Sequence, residues 1–203
     1  MTTKRDDAEP APMQAPLSDT AATLHHLVEQ IQVTASNGAG PDPVHVKHAL
    51  EQALKDESDW LDRRYQQLGE GPYSLYPLYR ADDGRCSILS VALRPGLPLP
   101  VHNHGTWAVI GIYRGREQET WYRRLDDGSV RGRAALEVER TFVNERGAVG
   151  IVPDGKIHTV EALEGSTVSI HIYGTDIVTQ ERSTFDLQAG TEEIFRPPFE
   201  AVE

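Results

Sequence analysis

Between about residue 85 and residue 173, the sequence consists of short apolar or alternating segments separated by turn residues. Short runs rich in β-branched and aromatic residues are typical of β-strands. Turn signals such as Pro95-Gly96, Asp126-Asp-Gly128 and Glu164-Gly165 recur between them. The predicted strands are 85–94, 107–114, 117–125, 136–144, 149–152, 158–163 and 167–173. Because no helical segment interrupts them, they predict a mainly β fold, either an antiparallel sandwich or a jelly roll.

The N-terminal part of the chain has a different pattern. Pro, Ala and charged residues dominate the first seventeen positions, so we expect a disordered tail there. Capping signals at Ser18-Asp19 and Asp42-Pro43, each followed by apolar residues at helical spacing, predict two helices, and a third short helix is predicted from Ser58. We expect these helices to pack on one outer face of the barrel. The predicted parts are a tail (1–17), a helical segment (18–70) and a barrel with a C-terminal extension (71–203).

Composition limits the classes of function. The chain has 31 acidic and 20 basic residues, a formal net charge of −11 that disfavours binding to nucleic acid or anionic membrane. The single cysteine, Cys86, excludes an intrachain disulfide and suits a reducing cytosol; we expect it to be a buried apolar residue rather than a nucleophile. No signal peptide or membrane span is predicted, so we expect a cytoplasmic protein, and no obligate protein partner is evident.

Three histidines are candidate metal ligands. His102 and His104 end the stretch Gly96-Leu-Pro-Leu-Pro-Val-His102-Asn-His104, and residues at i and i+2 of an extended segment point to the same side. His158 lies in a second framed motif, Gly147-x5-Pro153-x-Gly155-x2-His158. Imidazole binds Fe, Zn, Cu or Ni, and three ligands leave positions open for a substrate. A zinc hydrolase site could use three histidines in the same way, so the ligands alone do not identify the metal.

A polar row lies on the last predicted strand. Ser169, His171 and Tyr173 share one face of that strand, whereas Val168, Ile170 and Ile172 share the other. One interpretation is a half-buried strand with its polar face toward water. The other is a relay, in which Ser169 fixes the tautomer of His171 and His171 holds the Tyr173 hydroxyl toward a metal cavity.

The two histidine motifs resemble the two motifs of the cupins, whose fold is a double-stranded β-helix. The general cupin pattern has a ligand Glu four residues after the second His, but this sequence has Ala108 there. That departure resembles the cysteine dioxygenase-like (thiol dioxygenase) family, and Ser169-Ile-His171-Ile-Tyr173 resembles its Ser-x-His-x-Tyr triad. The resemblance covers roughly residues 75 to 182. It implies a cupin jelly roll with Fe(II) on His102, His104 and His158, and with Tyr173 beside the bound thiolate and dioxygen.

The resemblance also implies a small thiol that carries a carboxylate, oxidised by O2 to its sulfinate. An arginine can bind a carboxylate through two parallel hydrogen bonds. Arg80 resembles the carboxylate arginine of cysteine dioxygenases, and Arg182 resembles the one used by bacterial mercaptopropionate dioxygenases. Ala108 also replaces the cysteine that crosslinks to the tyrosine in animal cysteine dioxygenases, which favours the bacterial branch.

Two other functions remain open from the sequence. The first is a different cupin metalloenzyme, such as a dioxygenase of a non-thiol substrate or an isomerase. The second is a non-catalytic cupin that binds a small ligand; a degraded histidine set would favour it, and here all three histidines are present. Trp107, close to the histidine pair, could wall the cavity or simply pack in the core.

Overall fold

The computed structural model describes residues 19–33, 40–55 and 59–195, and the predicted tail (1–17) and Ser58 lie outside these ranges. Two helices, α1 (Asp19–Val33) and α2 (Pro43–Lys55), and a short 3-10 helix (Arg63–Gln66) precede the strands. The strands are β1 (Tyr73–Arg80), β2 (Ser87–Leu93), β3 (Val101–His102), β4 (Ala108–Arg114), β5 (Arg116–Arg124), β6 (Leu136–Glu145), β7 (Val149–Val152), β8 (Ile157–Ala162), β9 (Thr167–Tyr173), β10 (Arg182–Asp186) and β11 (Thr191–Phe195).

The strands form two antiparallel sheets whose order defines the fold. One sheet has the order β1-β2-β9-β4-β7 and is called here the helix-covered sheet. The other, called the histidine sheet, has the order β11-β10-β3-β8-β5-β6. From β2 to β9 the chain crosses between the sheets so that strands distant in sequence pair, as β3 does with β8 and β2 with β9. This pairing is that of a jelly roll, the double-stranded β-helix predicted from the sequence.

The helices α1 and α2 pack on the outer face of the helix-covered sheet. Leu27, Ile31 and Leu50 of the two helices join one apolar cluster with Ile170 and Ile172 of β9. Every residue of β2 and β9 is buried, because one face meets the helices and the other faces the barrel interior. The predicted packing of the helices on an outer face is therefore confirmed.

A glycine permits this close approach of helix and sheet. A Cβ atom added to Gly111 on β4 would lie 2.6 Å from Leu54 and 2.8 Å from Leu50, both side chains of α2. Any larger residue at Gly111 would push the helix away from the sheet. Within the described ranges, neither helix combines the length and apolar character that a membrane span requires.

The predicted third helix is wrong in its described part. Asp59 to Asp62 are not helical, and only the four residues Arg63–Gln66 form a 3-10 turn. The Leu61 amide donates to the Tyr113 hydroxyl at 3.0 Å, and the Trp60 indole donates to the Ala53 carbonyl at 3.1 Å. These bonds tie the segment to the barrel and to α2, so the apolar residues at helical spacing are used for tertiary packing instead.

Candidate metal centre

The three histidines predicted as ligands converge at one point of the histidine sheet. His102 on β3 and His158 on β8 are direct partners in the strand register, and His104 follows two residues after His102. One ligand nitrogen from each of the three rings lies within 4.8 Å of the others. His104 and His158 are buried, and His102 is half-buried. The three side chains are therefore positioned to bind one metal ion at an accessible edge of the barrel interior.

Hydrogen bonds fix which nitrogen of two rings faces this point. The Nδ1–H of His102 donates to the Pro100 carbonyl at 2.8 Å, and the Nδ1–H of His158 donates to the Glu119 carboxylate at 2.8 Å. Both acceptors lack a proton to give, so each neutral ring keeps its lone pair on Nε2. These are the tautomers that a metal ion requires of an Nε2 ligand.

The distance between two ligand nitrogens fits a shared ion. Nε2 of His104 lies 3.2 Å from Nε2 of His158. Two nitrogens bound to one ion at the usual metal–nitrogen length, with an angle between a right angle and a tetrahedral one, lie about 2.9–3.4 Å apart. The pKa values of His102 and His104 are well below the ordinary histidine value, first because the rings are buried and next because of His158. Neutral imidazoles at this spacing are a suitable donor set for Fe, Zn, Cu or Ni.

Glu119 on β5 supports the cluster from behind. Its carboxylate accepts hydrogen bonds from Nδ1 of His158, from the Trp121 indole at 2.5 Å and from the Asn144 amide at 3.2 Å. Burial raises the pKa of Glu119, but its hydrogen bonds with His158, Trp121 and Asn144 outweigh burial, and the net pKa is lowered. An ionised carboxylate behind a ligand histidine orients the ring and increases its basicity.

The polar row of β9 faces the barrel interior and forms the predicted relay. Ser169 Oγ lies 3.0 Å from Nε2 of His171, and Nδ1 of His171 lies 3.0 Å from the Tyr173 hydroxyl. All three residues are buried, so the interpretation of a face toward water is wrong. Because the helices already cover the apolar face, on which Ile170 and Ile172 lie, the polar face of β9 is turned toward the barrel interior.

The relay ends beside the histidine cluster. The rings of Tyr173 and His104 have centroids 5.1 Å apart in an edge-to-face arrangement. Burial raises the pKa of Tyr173 to about 12, partly opposed by Arg182. Burial is the main reason that the pKa of His171 is lowered to about 3, and the charge of Arg182 adds to this effect. At neutral pH the phenol is therefore protonated and the imidazole is neutral, so both act through hydrogen bonds.

The two candidate arginines are in different environments. Arg182 on β10 is 9% exposed, and its Nε is buried without a hydrogen-bond partner. Thr184 on β10 is the register partner of His102. Arg182 lies two residues before Thr184 on the same face of the strand, so it is at the level of the histidine cluster. No carboxylate among residues 19–33, 40–55 and 59–195 forms an ion pair with Arg182. Burial is the main cause of its lowered pKa.

Arg80, in contrast, already has an anionic partner. Its guanidinium donates two hydrogen bonds to the carboxylate of Asp176, at 3.1 and 2.5 Å, and this bidentate pair raises the pKa of Arg80. The side chain is 46% exposed at the end of β1. None of its described contacts joins it to the three histidines. The geometry supports Arg182, and not Arg80, as the carboxylate-binding candidate.

Ala108, Cys86 and Trp107 all pack in apolar parts of the fold. Ala108 is fully buried and is paired with Tyr173, so this position has a methyl group and no side chain that could bind a metal. Cys86 is buried, and burial raises the pKa of its thiol to about 12, which confirms it as an apolar core residue. Trp107 packs in the cluster beneath the helices rather than in the cavity. Trp121, which is in register with His158, lies by the cluster instead.

Two buried glutamates, Glu117 and Glu119, were not predicted from the sequence. Both lie on β5, at alternate positions that face the barrel interior. The carboxylate of Glu117 accepts a hydrogen bond from Thr167 at 2.7 Å. The sequence does not single them out, because alternating polar residues usually mark the exposed face of a strand.

The strand order and the histidine-bearing strands define the class of protein: a mainly β, double-stranded β-helix with three histidines positioned for a metal. No model of a known protein family matches the sequence.

Among solved structures, the chain is similar to an uncharacterized conserved protein with a double-stranded β-helix domain from Klebsiella pneumoniae. The identity is 10%, the TM-score is 0.45, and the match covers 59% of this chain and 87% of that one. A cupin superfamily protein from Desulfitobacterium hafniense is 19% identical, with a TM-score of 0.40 over 54% of this chain and 84% of that chain. An oxalate oxidase in complex with the substrate analogue glycolate is 14% identical, with a TM-score of 0.42 over 60% and 63% of the two chains. The strand order of the two sheets, rather than these similarities, establishes the fold.

Proposed function

We propose that this protein is an iron-dependent thiol dioxygenase that oxidises a small carboxylate-bearing thiol, such as cysteine or 3-mercaptopropionate, to its sulfinate. The overall reaction, R–SH + O2 → R–SO2H, places both oxygen atoms on sulfur and needs no external reductant. The observation that carries the proposal is the three-histidine cluster, without a carboxylate ligand, beside the buried Ser169–His171–Tyr173 row. Fe(II) on His102, His104 and His158 would supply the redox chemistry between thiolate and dioxygen.

The charge of the site supports an anionic substrate. The ligand nitrogens belong to neutral imidazoles, so the full charge of a divalent ion would remain to attract a thiolate. Arg182 adds a second positive charge that is buried and has no carboxylate partner in the described part of the chain. Leaving the buried Nε–H of Arg182 without an acceptor is costly, and a substrate carboxylate would relieve that cost with parallel charge-assisted hydrogen bonds.

The position of Tyr173 supports a role for its hydroxyl at the reacting atoms. Its hydroxyl is anchored by Nδ1 of His171, and its ring packs edge-on against His104. Since the raised pKa keeps the phenol protonated at neutral pH, its hydroxyl can donate a hydrogen bond to a thiolate or an oxygen atom beside the cluster. Burial of the row excludes water that would compete for this hydrogen bond.

The test is the consumption of dioxygen and the appearance of sulfinate. Fe(II)-loaded protein is mixed with cysteine, 3-mercaptopropionate, mercaptosuccinate or cysteamine, and oxygen uptake and the sulfinate product are both measured. We expect one O2 consumed per sulfinate formed, with the carboxylate-bearing thiols preferred over cysteamine. If none of the four thiols is oxidised, the proposal is wrong.

A different metalloenzyme is the alternative, and the observation that favours it is the ligand set itself, since three histidines also suit zinc. A hydrolase, an isomerase or a dioxygenase of a non-thiol substrate on this fold would not need the Tyr173 hydroxyl to contact a thiolate. Metal analysis of the purified protein, together with a Tyr173→Phe variant that keeps its metal and its full turnover, would favour that alternative. If the protein instead binds a small ligand without catalysis, none of the tested compounds would be converted.

A further inference from the structure

The guanidinium of Arg182 lies beside an aromatic ring and has no anionic partner among the described residues. Its buried Nε–H has no hydrogen-bond acceptor there either. The centroid of the Phe195 ring lies 5.5 Å from the guanidinium carbon. An aromatic ring attracts a cation through its face and occupies none of the in-plane N–H groups. The contact with Phe195 therefore holds Arg182 while its donors stay free for a ligand.

Phe195 lies on the side of Arg182 that faces away from the three histidines. The two residues are register partners on β11 and β10, so their side chains share one face of the sheet. In the histidine sheet, β11 is the edge strand, β10 is next to it and β3 follows. The Asn103 amide donates to the Ser183 carbonyl at 3.1 Å, which continues the pairing of β3 with β10 and brings Arg182 opposite His104. From the edge inward, the order is therefore Phe195, Arg182 and His104.

The hairpin of β10 and β11 is tied to the barrel, so the Phe195 ring forms a fixed wall. Five consecutive register pairs join the two strands. Glu192 of β11 accepts hydrogen bonds from the Ser183 hydroxyl at 2.7 Å and from Arg124 of β5 at 2.8 Å. With the hairpin anchored in this way, the ring prevents the Arg182 side chain from turning toward the edge of the sheet.

This arrangement fixes how far the guanidinium lies from the point where the three histidines converge. The strands β10 and β3 are neighbours, and the backbones of neighbouring strands are about 4.8 Å apart. Only a short linker fits between a sulfur atom at the histidine cluster and a carboxylate on Arg182. Without the ring, the long arginine side chain would adopt other rotamers and reach carboxylates at other distances.

We propose that Phe195 is a specificity-determining residue that backs Arg182 and thereby limits the ligand to thiol acids with two carbons between the sulfur and the carboxyl group. Both 3-mercaptopropionate and cysteine have this spacing, whereas 4-mercaptobutanoate has one carbon more. This role of Phe195 rests on the proposed function, because it takes a thiol acid as the ligand, but it concerns binding and not oxidation.

The test compares the binding of two thiol acids that differ by one methylene group. Full-length protein is loaded with Zn²⁺, which does not oxidise thiols, and is titrated with 3-mercaptopropionate or 4-mercaptobutanoate in a calorimeter without oxygen. We expect the wild type to bind 3-mercaptopropionate at least about 10-fold more tightly. In a Phe195→Ala variant the ratio should fall to about threefold or less, because Arg182 can then follow the longer acid. The affinity for 3-mercaptopropionate itself should fall about 2–12-fold, since Arg182 must then be immobilised on binding.

Three further variants show whether the ring itself is responsible. Phe195→Tyr keeps the ring and should keep the wild-type ratio, whereas Phe195→Leu keeps apolar volume without an aromatic face and should lower the ratio. Ile194→Ala is the matched control, because Ile194 precedes Phe195 on β11 but is 61% exposed and lies on the outer face. It should bind both acids as the wild type does. Cysteamine has no carboxylate, so its affinity should be the same in every variant.

Two results would overturn this role of Phe195. One is a wild type that binds the two acids with equal affinity, and the other is a wild-type ratio in both Phe195→Ala and Phe195→Leu. If Phe195→Ala does not fold, Phe195→Leu alone decides. Failure of the proposed function alone would appear as a protein that binds the thiol acids with the expected ratio but oxidises none of them when loaded with Fe(II).

Discussion

The sharpest prediction from the metal centre concerns Glu119, which touches a ligand without being one. In a Glu119→Gln variant the side chain keeps its shape but loses its charge, and its amide oxygen can still accept from Nδ1 of His158. The ring stays oriented, but it loses the anionic partner that increases the basicity of Nε2. We therefore expect the protein to fold and its metal to bind more weakly.

The size of the effect follows from the contacts of the carboxylate. Loss of such a supporting partner typically weakens metal binding about 10–100-fold, or about 1.4–2.7 kcal/mol. Glu119→Ala is a poorer choice, since it would leave the His158, Trp121 and Asn144 donors without their acceptor. Each buried donor left unpaired costs about 1–3 kcal/mol of the free energy of unfolding, which would confuse weak binding with a weakened fold.

The assay is a competition titration of Zn²⁺ between the metal-free protein and a chromophoric chelator, for the wild type and for Glu119→Gln. Glu161→Gln is the matched control, because Glu161 lies on the same strand as His158 but on its outer face, and its Zn²⁺ affinity should equal that of the wild type. An unchanged affinity in Glu119→Gln would refute the claim that His158 is a ligand supported by this carboxylate.

Three other predictions concern the substrate, the reaction and the fold. Arg182→Lys keeps the charge but loses the bidentate geometry, so the KM for 3-mercaptopropionate should rise about 10–100-fold, as expected for the loss of one hydrogen bond between charged groups. The KM for cysteamine, which has no carboxylate, should not change. The control variant Arg80→Lys should leave both KM values unchanged. An equal rise for both thiols would contradict a carboxylate contact. Tyr173→Phe should lower kcat about 100-fold or more with the Fe(II) content unchanged, and an unaltered kcat would remove the phenol from the reaction. Glu117→Gln should stabilise the protein at alkaline pH. Because the pKa of Glu117 is raised to about 7 in the folded state, the free energy of unfolding of the wild type falls by about 3 kcal/mol as the pH rises from the pKa of the unfolded state to above 7. Urea unfolding should show this advantage above pH 7 and not near pH 4, and a pH-independent difference would contradict the raised pKa.

The strands predicted from the sequence are those with a clear apolar run or a clear alternation, and β1 and β3 are among those missed. β1 contains Pro77, which lacks a backbone donor and lies at a register irregularity in the pairing with β2. β3 is only two residues long, Val101–His102, and follows a proline-rich stretch. Their strand character comes from partners distant in sequence, so no local pattern could reveal it.

The convergence of the three histidines could be predicted from the sequence, whereas the groups behind them could not. Framing by glycine and proline distinguishes His102 and His158 from isolated histidines, and the structure brings their rings to 4.7 Å between centroids. Alternating charges such as those of Glu117 and Glu119 usually mark the exposed face of a strand. Which face of β5 points into the barrel depends on its pairing with β6 and β8, and only the folded chain shows it.

The two arginines show the same limit. The sequence resemblance favours Arg80 and Arg182 alike, because it implies a carboxylate-binding role for either of them. The pairing of Arg80 with Asp176, 96 residues away in the chain, decides between them and could not be read from spacing. Long-range contacts of this kind determine which charge remains available for a ligand.

X-ray absorption at the iron edge tests the central claim most directly. Fe(II)-loaded protein is measured without oxygen, first alone and then with 3-mercaptopropionate. We predict the outer-shell scattering of three imidazoles in both samples and a new iron–sulfur distance in the second. Fewer than three imidazoles, or no sulfur neighbour when the thiol is present in excess, would contradict the account.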